Sequence, residues 1–398
     1  MSTERVIIAG AGPVGLVAAA KLVAEGIPVL VLEAGKDLSA ESRASTFHPP
    51  TLDMLDQLGA AKPLIAQGLV APKVQYRSKD EGIIAQFDFG EISDLTAHPY
   101  RLQSEQFKLT RILHAMLRDN PLFSLEFEAT VDNVVQDEGG VRVTVDRNGK
   151  SEQREGQWLI GADGARSTVR NALDIDFEGF TWPERFLVLS TNFDFDAVIP
   201  DLVSVNYVAD PQLWHFFLRI PGMWRIMFPI PQDVSDEAAT TQDYGQSLLA
   251  IAAPGRGPFE ILHSTLYRVH QRVAKQFRKG RCFLAGDAAH INNPLGGMGM
   301  NGGIHDALNL TSRLAQVWKG EAPETELDRY DLQRRLVTLE YVQKYTIQNK
   351  KNLEASDAEG QRAFREGLRK EASTLEGRRA HLERIAMISS LRRAAELG

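Results

Sequence analysis

A single cysteine, Cys282, occurs in the 398 residues. One thiol excludes an internal disulfide framework and any multi-cysteine zinc site, and it fits a reducing, cytoplasmic compartment. Excess positive charge is also missing: 45 Lys and Arg stand against 52 Asp and Glu, a formal net charge of -7. A mildly acidic chain has no basic field to draw in a phosphate backbone or an anionic bilayer, so neither nucleic acid nor membrane is expected as a partner. No stretch reaches the roughly 18 to 20 apolar residues that span a bilayer. The uncharged run from Val6 to Ala20 after Arg5 superficially resembles a signal peptide, but Pro13 and three glycines argue against it. Internal repeats, low-complexity segments and metal-ligand spacings such as HExxH are absent from the sequence. What remains, 43% hydrophobic and 24% charged, is ordinary globular composition, long enough for two or three packed regions sharing a core.

Residues 5-34 predict a βαβ unit: an apolar strand (Val6 to Ala9), a glycine turn, an Ala/Leu-rich helix and a second apolar strand (Pro28 to Leu32). Gly10, Gly12 and Gly15 form G-x-G-x-x-G, with Pro13 at the helix start. The first glycine permits the tight turn, the second lets the backbone approach a pyrophosphate, and the third lets helix and strand pack closely. Glu33 and Ala34 end the second strand, where an acidic side chain would accept hydrogen bonds from ribose hydroxyls. This fingerprint predicts dinucleotide binding without separating FAD from NAD.

Two further islands bear on that choice. Residues 159-170, LIGADGARSTVR, carry an apolar strand into Asp163-Gly164, and residues 281-310 carry another into Gly286-Asp287, a glycine-rich loop and a helix expected near Asn301. In this order the three motifs resemble the single-component FAD-dependent aromatic hydroxylases typified by para-hydroxybenzoate hydroxylase. The stretches FTWPERFLVL (180-189) and YRVHQR (267-272) look most like the para-nitrophenol 4-monooxygenases within that group.

The resemblance implies FAD, with NADPH or NADH as electron donor and no second Rossmann unit for it. Asp287 would then accept bonds from the ribityl hydroxyls, and Asp163 would hold the flavin side. The loop Pro294 to Asn301, including Gly299 and Met300, would present backbone N–H groups at a helix N-terminus to the flavin pyrimidine. Arg43 resembles the family arginine near the FAD phosphates. Gln106, opening QFKLTRIL, resembles the glutamine that contacts FAD from a helix start, with Gln103 as its competitor. The reaction implied is transfer of oxygen from a flavin C4a-hydroperoxide to a phenolic or hydroxylated N-heteroaromatic ring. Para-nitrophenol-type removal of a ring substituent is the alternative within the group. A nicotinamide-only dehydrogenase is a competitor from another class, as is a flavin-binding protein without turnover.

Between the D-G and G-D motifs the pattern alternates, as in SVNYV (204-208), LWHFFLRI (213-220) and WRIMFPIP (224-231), which predicts an antiparallel sheet. The fold expected is α/β: a Rossmann-like FAD-binding domain from separated segments (1-73, 103-180 and 268-320), an inserted β-rich substrate domain (74-102 and 181-267), and a C-terminal helical region (321-398). Those helices either cover the pocket or form a homodimer contact; composition does not choose. Tyr207, Trp214, Phe216 and Trp224 are candidate ring-binding walls, each equally readable as core. Arg219 and Arg225 resemble two substrate-side arginines of para-hydroxybenzoate hydroxylase. A three-residue loop after Ile220 puts them on one face and a two-residue loop on opposite faces. Arg225, His48, His290 and Pro294 are the candidates for the reaction centre, with His48, Tyr207 and His290 as candidate holders of a phenolate. A small aromatic substrate and molecular oxygen are the expected partners.

Overall fold

The computed structural model describes residues 4–41, 44–210, 213–354 and 358–397. The opening apolar runs form β1 (Val6–Ala9) and β2 (Val29–Leu32) around α1 (Pro13–Ala24). Both strands are buried throughout, so they read as unbroken apolar runs rather than alternating ones. Next come β3 (Thr46–Phe47), β4 (Leu69–Ala71), the hairpin β5 (Lys73–Ser78) and β6 (Gly82–Asp88), then β7 (Arg101–Gln103), α2 (Gln106–Leu117) and β8 (Phe123–Glu126). An antiparallel meander over 130–156 leads to β9 (Trp158–Gly161) and the long β10 (Phe177–Thr191). There follow β11 (Val205–Ala209), β12 (His215–Ile220), β13 (Met223–Ile230), α3 (Gln242–Ala252), the long β14 (Ile261–Ala274) and β15 (Cys282–Leu284). Helices α4 (Met298–Trp318), α5 (Asp328–Val337), α6 (Lys344–Glu354), α7 (Ala358–Ser373), α8 (Leu375–Ile385) and α9 (Ile388–Glu396) complete the chain.

The first sheet runs β15-β9-β1-β2-β8, all parallel, with Arg278–Lys279 antiparallel at its edge. Its strands come from well-separated segments, as the motif order implied. Cys282 in this sheet is buried, and burial pushes its thiol up to about 12, so it packs rather than reacts. An eight-stranded, mostly antiparallel sheet runs from His290–Ile291 through β14-β10-β13-β12-β11-β5-β6. In it β10 and β14 pair from Phe177 opposite Ala274 to Thr191 opposite Ile261, with bulges on the way. These long ladders run straight through 180/181 and 267/268, the expected limits of the inserted β-rich domain. A small third sheet, β3-β7-β4, lies beside the helix-rich layer.

The large sheet separates two apolar layers. One face, with Leu187, Phe217, Trp224 and Phe228, packs on α3; the other, with Phe186, Tyr207, Trp214 and Met227, packs on Leu353, Leu368, Leu382 and Ile385 from the C-terminal helices. Those helices therefore cover a sheet face. Helix α4 starts at Met298, three residues before the expected Asn301, because its glycines serve close packing: a Cβ at Gly303 would stand 2.9 Å from Gly286 Cα. Among the described residues no helix is long and apolar enough to cross a membrane.

Candidate active site

The strands of the parallel sheet point the same way, so their carboxyl ends share one edge, where open α/β sheets form ligand crevices. The motifs follow that edge in sheet order: Gly286-Asp287 after β15, Asp163 after β9, the glycine turn after β1 and Glu33 after β2. Gly10 has φ +100° and a Cβ there would lie 2.4 Å from the Ala162 carbonyl oxygen; a Cβ at Gly15 would lie 2.0 Å from the Gly10 carbonyl oxygen. Both are demanded by the protein's own packing. At Gly12, the N-cap of α1, a Cβ would meet nothing within 4 Å. That open space at a helix N-terminus fits the approach of an anion such as a pyrophosphate. Pro13 takes the first helical position, where a missing N–H is harmless. Glu33 is held beside this turn by the N–H groups of Ala11 and Gly35, each 2.8 Å from one carboxylate oxygen, and Ala34 is exposed next to it. Arg43 lies outside the described residues.

Asp163 accepts the Val169 N–H at 3.1 Å through Oδ2, while its buried Oδ1 has no hydrogen-bond partner. Burial pushes its carboxyl up. Arg170 joins the D-G and G-D segments: it donates to the Ala288 carbonyl at 2.9 Å and stacks on Phe177 at 3.9 Å. At the G-D turn Asp287 is exposed between buried Gly286 and Ala288, at the sheet edge.

Beneath that turn lies a buried network with no sequence signature. Asp306 accepts the Gly286 N–H (3.1 Å) and His290 Nε2 (2.7 Å) through Oδ2, and Arg334 Nε (2.7 Å) through Oδ1. Burial opposes ionisation of Asp306, but His290 and Arg334 hold its carboxyl well below the usual range. His290, 1% exposed and stacked on Phe277, braces the turn instead of facing a substrate, which corrects its reading as a phenolate holder.

In the glycine-rich loop Pro294 is exposed, and Gly296 and Gly297 take φ +96° and +65° into the α4 N-terminus. The Asn301 side chain is spent on the protein: Nδ2 donates to the Thr46 and Gly297 carbonyls at 2.8 and 2.7 Å, and Oδ1 accepts the His48 N–H at 2.9 Å. Met300 packs into the core, and a Cβ at Gly299 would have only Asn292 Oδ1 as a neighbour, at 3.5 Å. What the loop offers a ligand is backbone N–H at the first turn of a 21-residue helix.

The small sheet faces this loop with polar side chains. Thr46 pairs with Gln103 and Phe47 with Leu102; the latter two enter the main core, so Thr46, His48, Arg101 and Gln103 share the other face by period two. The Thr46 hydroxyl donates to Gln103 Oε1 at 2.8 Å, and His48 Nε2 donates to the Gly296 carbonyl at 2.8 Å. Burial and the nearby Arg101 cation push His48 well below its ordinary value, so it is neutral. Buried His48 Nδ1, Arg101 Nε and Gln103 Nε2 have no hydrogen-bond partner. Gln106 opens α2 as expected, half-buried, with its N–H on the Ala44 carbonyl, whereas Gln103 brings the unpaired amide to the buried polar layer. Unpaired polar atoms of this kind, together with the open Gly12 and the α4 N-terminus, fit a ligand with phosphate at one end and a hydrogen-bonding ring at the other.

On the large sheet, Arg225 is buried and donates to Ser45 Oγ at 3.0 Å. Tyr207 stacks on Tyr76 at 5.3 Å, Phe216 tilts against Tyr207 at 5.8 Å, and Trp214 meets Phe186 edge-on at 5.4 Å. Trp224 and Arg219 are corrected: Ile220 pairs with Met223 across a two-residue loop, so both lie on the α3 face, Trp224 in its core and Arg219 half-exposed on Asp196. A cavity of about 840 Å³ lies between the other face and the C-terminal helices, lined by Tyr76, Met298, Tyr345, Phe364, His381 and Met387 among others. Sequence reading missed Tyr76, Tyr345 and His381, which carry no shared spacing.

Residues 3–345 match the family model described as FAD binding domain. The chain is 35% identical over 374 residues to para-nitrophenol 4-monooxygenase of Pseudomonas sp. (strain WBC-3), covering 93% of this chain and 92% of that one. It is 34% identical over 353 residues to 6-hydroxy-3-succinoylpyridine 3-monooxygenase of Pseudomonas putida, covering 88% and 89%. The crystal structure of p-nitrophenol 4-monooxygenase from Pseudomonas putida superposes with a TM-score of 0.91 at 30% identity over 98% of each chain. The ternary complex of aklavinone-11 hydroxylase with FAD and aklavinone superposes at 0.76 and 25% identity, over 87% of this chain and 68% of that one.

Proposed function

Since the chain belongs to the FAD binding domain family and is an aromatic flavoprotein monooxygenase, we propose that it spends NADPH or NADH and molecular oxygen to hydroxylate a phenol or a hydroxypyridine. The observation that carries this reading is one line of groups along the sheet edge. Glu33, the open Gly12, Asp163, Asp287 and the α4 N-terminus follow one another, and the apolar cavity adjoins the last of them.

In this reading FAD supplies hydride acceptance and oxygen activation, and the chain's residues do the rest. The N-terminus of α1 and Gly12 hold the pyrophosphate, Glu33 the ribose, Asp163 and Asp287 the middle of the cofactor, and Gln103 in preference to Gln106 reaches it from the small sheet. Backbone N–H groups at Met298 and Gly299 favour negative charge on the ring system. His48 is a buttress of this loop through Gly296, and Arg225 fixes the large sheet against the segment that leads into β3. Tyr76 walls the ring, backed by Tyr207 and Phe216, and the C-terminal helices exclude water from it. Removal of a ring substituent is the second reading, favoured by the relatedness to para-nitrophenol 4-monooxygenase.

The test is a visible spectrum of the purified protein, followed by NADH and NADPH oxidation with oxygen uptake on 4-nitrophenol, 4-hydroxybenzoate, hydroxypyridines and catechols, with peroxide and nitrite assayed. A flavin spectrum and aromatic-stimulated turnover with little peroxide are expected. Colourless protein that takes up no FAD, or oxidation that no aromatic accelerates, overturns the reading.

A further inference from the structure

The cavity beside the C-terminal helices supports one more assignment, which rests on the monooxygenase reading. Its volume of about 840 Å³ suits a substituted aromatic ring. Its floor meets the glycine-rich loop: Met298, the first residue of α4, packs with Val342, Tyr345 and Met387, and a Cβ at Gly296 would lie 3.5 Å from the Tyr345 ring. A ring in this space therefore lies next to the helix N-terminus that the flavin is expected to meet.

One wall of the cavity is His381 of α8, 3% exposed. Its Nδ1 stands 2.6 Å from Glu371 Oε2 on α7 and 3.0 Å from Arg384 Nη2; the shorter contact, to a carboxylate that has no proton to give, decides the tautomer. The Nδ1–H therefore donates, and the lone pair is on Nε2, which is buried without a hydrogen-bond partner. Glu371 is itself fixed by two 3.0 Å bonds from Arg384. Phe87 stacks on the imidazole at 3.8 Å and Tyr76 meets it edge-on at 5.5 Å, so the ring has one orientation. The titratable and charged groups around it are Glu371, Arg384, Tyr76 and, from β7, Arg101. Burial and the two arginines push the imidazole down against the pull of Glu371, which leaves it neutral and able to accept.

We propose that His381, oriented by Glu371, accepts the proton of a phenolic hydroxyl bound in this cavity. The O–H bond breaks, its electron pair stays on oxygen, and an N–H bond forms at Nε2. The imidazolium then lies between phenolate and carboxylate, and the ring gains electron density ortho and para to oxygen, where oxygen transfer requires it. His48 and His290 donate through Nε2 to the loop and to Asp306 and, like His381, keep an unpaired acceptor nitrogen, but of the three only His381 lines the cavity.

4-Nitrophenol reports its own ionisation by absorbance, so it is titrated against the FAD-loaded protein without oxygen or nicotinamide across pH 5.5 to 8.5. Wild-type protein is expected to hold it as phenolate at a pH about one unit or more below its free midpoint. In His381→Gln the midpoint returns close to the free value, with Glu371→Gln between them, at unchanged flavin content and Tm. The kcat of His381→Gln falls about 100-fold with little change in KM. Equal midpoints in wild type and His381→Gln overturn the proposal, as does wild-type protein that binds only neutral 4-nitrophenol or none. If His381→Gln does not fold, an unshifted midpoint in Glu371→Gln is decisive against it. Failure of the wider reading shows separately, as absent FAD or absent aromatic stimulation.

Discussion

Gly12 and Gly15, three positions apart, answer to different forces. The Cβ of an alanine at position 15 would be driven to 2.0 Å from the Gly10 carbonyl oxygen, and only movement of α1 away from β1 relieves that. Gly15→Ala is expected to lower stability by about 1 to 3 kcal/mol, as overpacking between rigid elements does. A Cβ at Gly12 meets no protein atom within 4 Å, so Gly12→Ala leaves the melting temperature of the apoprotein unchanged. It intrudes instead on the space assigned to pyrophosphate, and FAD affinity falls about tenfold or more, equivalent to about 1.4 kcal/mol. Apoprotein melts and quenching of flavin fluorescence measure the two effects separately. A Gly12→Ala protein that binds FAD as tightly as wild type removes the pyrophosphate from this turn.

At the scale of elements, the hairpin β12–β13 shows how much one residue of loop decides. Pro221 and Gly222 make the turn, Arg219 pairs with Trp224, and Arg225 therefore points to the opposite face. Arg219 is half-exposed and paired with Asp196, so Arg219→Ala is expected to change KM for 4-hydroxybenzoate and 4-nitrophenol by less than about twofold each, as loss of a surface pair does. A selective rise for the carboxylated phenol in steady-state assays would return Arg219 to the substrate. The same contrast explains what was legible beforehand. The glycine turn, the D-G and G-D motifs and the alternating strands are local strand–turn patterns, written within a few residues, and they appear where the spacing placed them. Faces were not legible, because register needs the loop length, and so the side of Arg219 stayed open and Trp224 read equally well as pocket wall or as core. His290 was misread for a related reason: a motif brings a residue near a site without saying which of its atoms the protein itself uses. The cavity was invisible, because Tyr76, Tyr345 and His381 come from a strand and two helices far apart in sequence and meet only through tertiary packing.

Across the whole molecule, burial of imidazole sets how the fold responds to acid. His48 behind the glycine-rich loop, His215 in the large sheet, His305 in α4 and His381 in α8 are all buried, and burial pushes each down, His305 to about 3. In the unfolded chain each takes up a proton near pH ~6.5. Below that pH the unfolded state binds more protons than the folded one, so stability is complete above about 6.5 and declines as pH falls toward the folded values. Each histidine contributes up to about 1.4 kcal/mol per pH unit in that window, and four together up to about 5.6 kcal/mol per pH unit, a large share of an ordinary folding free energy of about 5 to 15 kcal/mol. Carboxylates such as Glu25 and Asp80, held at about 2 by their cation partners, lose their contribution only as pH falls below the usual range near ~4. Acid destabilisation is therefore expected to start with the histidines, in the FAD-binding layer, the large sheet and the C-terminal helices together. Calorimetric melts at pH 7.5, 6.5 and 5.5 should show Tm steady over the first step and falling by several degrees over the second, with a shallower fall in His305→Gln. A flat Tm down to pH 5.5 would mean that these imidazoles accept protons in the folded state. It would also deprive His381 of the neutrality that makes it an acceptor, so the melting curve and the nitrophenol titration test one electrostatic arrangement by independent routes.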